Sequence, residues 1–123
     1  SQGGLMDYLE DSSIDVARIL YRTGIPRLRL IPSGVKRETT GESFTSFRMR
    51  ALVDSLRSRY PDRYLILDSP SVLGSPDARI LSDLADLVVL VAGYGKVTPE
   101  KMDAALASFP SEKLAGVVFN HLP

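Results

Sequence analysis

Apolar positions along the chain fall into short unbroken runs separated by stretches with helical spacing. Leu28-Arg29-Leu30-Ile31, Tyr64-Leu65-Ile66-Leu67, Leu87-Val88-Val89-Leu90-Val91-Ala92 and Ala115-Gly116-Val117-Val118-Phe119 read as strands, three of them apolar on both faces. Between the first two, a helix from about Ser43 to Tyr60 carries Met49, Val53, Leu56 and Tyr60 along one side, and Pro61-Asp62 ends it. A second helix opens with Ser75 as cap and Pro76 at its first position. A third is capped by Thr98 before Pro99 and carries Met102, Leu106 and Phe109. Two shorter helical pieces, Leu5 to Leu9 and Ile14 to Leu20, precede the first strand, and Gly24-Ile25-Pro26 closes the second of them. Residues 35–42 have no apolar period and are expected to form a mobile loop. Alternating strands and helices predict an α/β fold: a parallel sheet with right-handed crossovers and helices on both faces.

At 123 residues and 44% hydrophobic, the chain suits one domain, residues 1–123, with its own core. Lys plus Arg and Asp plus Glu both number 15, so no overall field argues for nucleic acid or an anionic membrane. The charge is nevertheless uneven. Nine basic and four acidic residues lie between Arg27 and Arg63, a distribution that suits either a solvated helix face or contact with like subunits or an acidic partner. With no cysteine and a single histidine, His121, thiolate and multi-histidine metal centres are excluded. No apolar run is long enough to span a bilayer, and Ser1-Gln2-Gly3-Gly4 lacks the character of a signal peptide, so direct membrane insertion is not expected.

Chemistry concentrates at Tyr64-Leu65-Ile66-Leu67-Asp68-Ser69-Pro70. An apolar run that stops at a carboxylate and then a proline delivers Asp68 to the C-terminal tip of a strand, where open α/β sheets bind ligands. In phosphate-binding folds that position is the Walker B carboxylate, which orients magnesium, usually through water. The alternative is a carboxylate that caps the following turn. The partner motif, G-x-x-x-x-G-K-S/T, occurs nowhere in the chain. Gly93-Tyr94-Gly95-Lys96 lacks its spacing and is expected to be a turn.

The motifs taken in order resemble the C-terminal two thirds of the bacterial tyrosine autokinases of capsule and exopolysaccharide synthesis. The matching pieces begin with Gly4-Leu5-Met6-Asp7-Tyr8-Leu9, Leu30-Ile31-Pro32-Ser33-Gly34 and Glu42-Ser43-Phe44-Thr45-Ser46-Phe47-Arg48-Met49. Leu65-Ile66-Leu67-Asp68-Ser69-Pro70 and Pro76-Asp77-Ala78 follow. Ala85-Asp86-Leu87-Val88-Val89-Leu90-Val91 and Leu114-Ala115-Gly116-Val117-Val118-Phe119-Asn120 complete the set. The order of the set carries the resemblance, since each piece alone is common. The family belongs to the deviant Walker P-loop group, with the cell-division and plasmid-partition ATPases (MinD/ParA type). The resemblance therefore implies a partial Rossmann-like three-layer P-loop fold.

It also implies roles for a few residues. Asp68 would be the catalytic and metal-binding Walker B aspartate, holding magnesium and positioning the attacking tyrosine hydroxyl. Asn120 would sit near the adenine ring, its amide able to donate to and accept from a purine edge, the alternative being a turn residue before Pro123. Asp77 would be a helix-capping or supporting aspartate. The intact parent would use ATP and magnesium, whereas this chain, without the Walker A and A-prime elements, is expected to bind neither and to be inactive alone. Implied partners are a membrane activator or chain-length determinant protein and like subunits, with a cytoplasmic location, peripheral at the inner membrane through that partner. The chain is expected to be a fragment of a longer protein. Without the two missing strands the Asp68 strand would have unpaired edges, which predicts a rearranged closed-up sheet, or pairing with a second copy or the absent segment.

Two further function classes compete with the kinase part. A non-catalytic interaction module would dock on a membrane activator or like subunits through the basic helix. A phosphoacceptor receiver domain needs an acidic pair after its first strand and a lysine after its last, and the chain has Pro32-Ser33-Gly34 and Asn120-His121 instead.

Overall fold

The computed structural model describes residues 3–34 and 43–121. The loop expected at 35–42 lies outside the described residues. Chain contacts divide the protein into two compact units, Ser1–Leu65 and Ile66–Pro123.

In the first unit, helix α1 (Leu5–Glu10) is followed by a single 3-10 turn, Val16–Arg18, and by a two-strand antiparallel hairpin, β1 (Tyr21–Arg22) with β2 (Arg29–Leu30). Helix α2 (Phe47–Arg59) completes it. The helix expected over Ile14 to Leu20 is thus reduced to one turn, because Tyr21 already pairs with Leu30 across the hairpin. The strand expected over Leu28 to Ile31 is correspondingly antiparallel and two residues long. Thr23 drives this locally: its hydroxyl oxygen accepts the Ile25 N–H at 3.0 Å and donates to the Leu28 carbonyl at 3.0 Å, drawing the chain into a turn. Helix α2 starts where Ser46 Oγ accepts the Met49 N–H at 3.2 Å. It buries Met49, Leu52, Val53 and Leu56, which with Met6, Val16 and Ile19 form the core of this unit. Tyr60 ends the helix instead of joining its buried side.

In the second unit, helix α3 (Asp77–Ser82) leads to β3 (Val88–Gly93), α4 (Pro99–Ala107), a 3-10 turn and β4 (Leu114–Asn120). β3 and β4 pair in parallel from Val88↔Leu114 to Gly93↔Asn120, with one irregularity between Val88 and Val89. A parallel pair requires a crossover, and α4 supplies it. The Thr98 cap is present as expected: its Oγ1 accepts the Lys101 N–H at 3.2 Å, with Pro99 opening the helix. At α3, Pro76 occupies the cap position and Ser75 Oγ accepts the Asp77 N–H at 3.1 Å. Ala78, Leu81, Ala92, Ala105 and Phe109 are buried. The ladder is not covered on all sides: Val89, Val91, Val118 and Phe119 are each more than half exposed.

The expected strand at Tyr64 to Asp68 does not form. Among the described residues no ladder bond reaches the run and it belongs to neither sheet, and Tyr64 and Ile66 are 97% and 85% exposed. Strand propensity alone cannot hold an extended segment without a neighbour to take its amides and carbonyls. The alternative of a rearranged, closed-up sheet is therefore not what the described residues adopt. Among them no helix is long and apolar enough to cross a membrane.

Candidate functional site

The C-terminal ends of β3 and β4 finish together. Gly93 and Asn120 are the last pair of the ladder, and the Tyr94 N–H donates to the Asn120 main-chain carbonyl at 2.8 Å. Gly93-Tyr94-Gly95-Lys96 turns immediately afterwards, closed by the Lys96 N–H on the Gly93 carbonyl at 3.0 Å. Gly95 has a φ of +73°, a left-handed conformation natural for glycine, so the segment is the turn expected of it. Asn120 thus stands at a strand tip with an exposed side chain, beside a turn with Lys96. His121, exposed, follows with a φ of +59° and ends the ladder.

Asp68 closes the exposed run. Its side chain is exposed, and among the described residues no hydrogen bond reaches its carboxylate. Ser69 Oγ donates to the Pro70 carbonyl at 3.0 Å, so the turn after Asp68 is organised without it. The turn-capping alternative for Asp68 therefore has no hydrogen bond to support it. Asp77 lies in the first turn of α3, where a carboxylate complements the helix dipole.

A lone exposed carboxylate fits one kind of cation site. Magnesium keeps several waters and takes one or two carboxylates together with substrate phosphates, unlike ions that need a full cage of protein ligands. Among the described residues no three His, Asp or Glu side chains cluster so as to hold a metal ion by themselves. No bond joins Asp68 to Asn120 or to the Gly93–Lys96 turn.

Two motif pieces far apart in sequence do meet. The Leu5 and Met6 N–H groups donate to the Pro32 and Ser33 carbonyls at 2.8 and 2.9 Å. Asp7 accepts the Gly4 N–H at 2.8 Å, and Gly4 is packed so closely that a Cβ there would collide with the Pro32 carbonyl and with Gly34. Arg48, one of the basic residues expected either on a solvated face or in contact with like subunits or an acidic partner, reaches back to α1: its guanidinium lies over the Tyr8 ring. No local period signals such a contact, which joins residues 40 positions apart.

No protein-family model matches the chain. Among curated proteins it is 30% identical over 121 residues to the putative tyrosine-protein kinase EpsB of Ralstonia solanacearum, an alignment covering 97% of this chain and 16% of that protein. It is 24% identical over 119 residues to the tyrosine-protein kinase CpsD of Streptococcus agalactiae, covering 95% of this chain and 51% of that protein. The chain therefore spans between about a sixth and a half of these relatives. Among solved structures, the VpsO kinase domain superposes with a TM-score of 0.88 at 22% identity, covering 100% of this chain and 60% of that one. The likeness establishes a shared α/β fold.

Proposed function

Because the homologues of this chain are bacterial tyrosine-protein kinases, we propose that its two units form part of one nucleotide-binding domain of such a kinase, acting in exopolysaccharide or capsule synthesis. The observation that carries this reading is alignment of 97% of the chain with EpsB, a share large enough that it includes Asp68.

In this reading the intact protein transfers the γ-phosphoryl group of ATP to tyrosine hydroxyls, its own or a neighbour's. Magnesium, when bound, neutralises charge on the phosphates. Asp68 would hold it through water and orient the attacking hydroxyl, work for which an exposed carboxylate at the end of an extended run is suited. Asn120 would face the base, its amide free to donate and accept at a purine edge. Lys96 stands near the strand tips without the loop of glycine amides that cradles phosphate, so residues outside this chain would supply that cradle. A membrane activator or chain-length determinant protein and like subunits are the partners that fit this role, with the kinase cytoplasmic and held at the inner membrane through that partner.

The test is phosphotyrosine formation by the protein carrying this chain, with magnesium and ATP. Asp68→Asn should reduce it by at least a hundredfold while leaving folding intact. Undiminished phosphorylation in that variant would remove Asp68 from the chemistry. Phosphorylation unchanged in that variant, with association lost on substituting the arginines of α2, would favour an interaction module instead.

A further inference from the structure

Arg22 and Arg29 stand directly opposite one another on β1 and β2. Both are exposed, and among the described residues neither has a hydrogen-bond or ion-pair partner for its side chain. Tyr21 sets the way the pair faces. Its Oη donates to the Gly3 carbonyl at 2.7 Å, so Tyr21 turns towards the start of α1, and alternation along the strand puts Arg22 and Arg29 on the opposite face. Like charges directly opposite across a ladder repel, and a hairpin of two-residue strands has few other contacts to offset them. The turn between the strands carries a second cost. It is closed by the Leu28 N–H on the Ile25 carbonyl at 3.3 Å, and Arg27 within it has a φ of +67°, in a position that a type II turn gives to glycine. Arg63 Nη1 donates to the Arg27 carbonyl at 3.1 Å and Asp62 pairs with the Arg27 guanidinium at 3.5 Å, which hold that turn in place. Two unfavourable local choices in one short hairpin point to a role other than stability.

Each guanidinium is a permanently charged planar fork of five N–H donors. Facing strand residues have Cβ atoms about 5 Å apart, so both forks reach one group. A carboxylate, with two oxygens and one charge, is satisfied by a single fork. A phosphomonoester offers three terminal oxygens and a charge of about −1.5 to −2, enough for both. Ile25 and Leu28 in the adjoining turn are 61% and 48% exposed, apolar surface for the organic part of an ester. We propose that Arg22 and Arg29 form an anion site for the phosphate of a phosphomonoester, whose binding relieves their repulsion and tightens the hairpin. Phosphotyrosine is the phosphomonoester that the kinase reading above would have the protein make, so the identity of the bearer rests on that reading. The anion site itself does not. Inorganic phosphate is a second source of the same chemistry.

NMR titration of the 123-residue chain, followed at the Arg22 and Arg29 amides, tests the site with four probes: a phosphotyrosine peptide, the same peptide unphosphorylated, inorganic phosphate, and phosphatidylserine vesicles. Inorganic phosphate should saturate in the range of about 1–10 mM, as suits an exposed site, and the phosphopeptide several-fold lower. Arg22→Gln and Arg29→Gln should each weaken both by at least about tenfold, whereas Arg50→Gln on α2 should not. In low salt without phosphate, Arg22→Gln should also raise the thermal midpoint by about 1–3 °C, and added phosphate should raise the midpoint of the unmodified chain but not of the variant. Equal binding of the two peptides, vesicle binding without phosphate binding, or a lowered midpoint in Arg22→Gln overturns the site. Inorganic phosphate binding as tightly as the phosphopeptide overturns phosphotyrosine as the bearer and supports the anion site. Because the peptide is supplied already phosphorylated, absence of phosphotyrosine formation by the protein counts against the kinase reading alone.

Discussion

Arg48 lies flat over Tyr8, with 3.8 Å between the guanidinium carbon and the ring centroid. The same side chain donates from Nε to the Tyr8 carbonyl at 2.5 Å, and from Nη2 to the carbonyls of Asp11 and Ile14 at 3.0 and 2.8 Å. One residue of α2 thus satisfies main-chain acceptors at the end of α1 and beyond it, groups that a short helix leaves without partners.

Arg48→Ala should therefore destabilise the first unit by about 2–4 kcal/mol, combining charged hydrogen bonds with the cation–π contact. Arg48→Lys should recover less than half of the loss, since an ammonium group reproduces neither the planar stack nor the fork of donors. Urea unfolding, followed by amide exchange in α1 and α2, measures both variants.

Gly4 makes a second close contact. Its φ of −151° is open to any residue, so conformational freedom is not the reason for a glycine there. A Cβ at this position would lie 2.6 Å from the Gly34 nitrogen and collide with the Pro32 carbonyl. Gly4→Ala should cost about 1–3 kcal/mol by forcing main-chain atoms apart, and thermal unfolding would show it as a lowered midpoint. Gly24→Ala, where nothing lies within 4 Å, is the comparison expected to leave the midpoint nearly unchanged.

The carboxyl of Asp11 should titrate below its ordinary 3.8, because the Ser13 hydroxyl and the Ser13 N–H both donate to it and Arg48 adds a weaker attraction. A depressed value means that the folded state favours the ionised form. The associated stabilisation is present above the unfolded value and lost as pH falls through the folded one. NMR titration of the Asp11 carboxyl should place its midpoint below 3.8, and Ser13→Ala should raise it.

The second unit was more legible in the sequence than the first. Leu87 to Ala92 and Ala115 to Phe119 are continuous apolar runs that pair with each other, and the Thr98-Pro99 start of α4 is a local signal with a local cause. Tyr64 to Leu67 is similarly apolar but has no partner strand among the described residues, and extended structure in a sheet is a property of two segments rather than one. Ile14 to Leu20 has helical spacing, yet the hairpin claims Tyr21. At the candidate site, the strand-tip position of Asn120 and the turn at Gly93–Lys96 follow from the pattern. The stack of Arg48 on Tyr8 and the bond from Tyr21 to Gly3 do not, because each joins residues many positions apart by side chains that carry no period.

The central claim is that this chain carries a metal-orienting carboxylate, Asp68, without the glycine-rich cradle that binds phosphate. Calorimetric titration of the 123-residue chain with magnesium and ATP tests it most directly. The account predicts no saturable binding below millimolar concentrations, with Asp68→Asn indistinguishable from the unmodified chain. Micromolar binding by the unmodified chain would contradict it, showing that the absent glycine-rich cradle is not needed to hold phosphate.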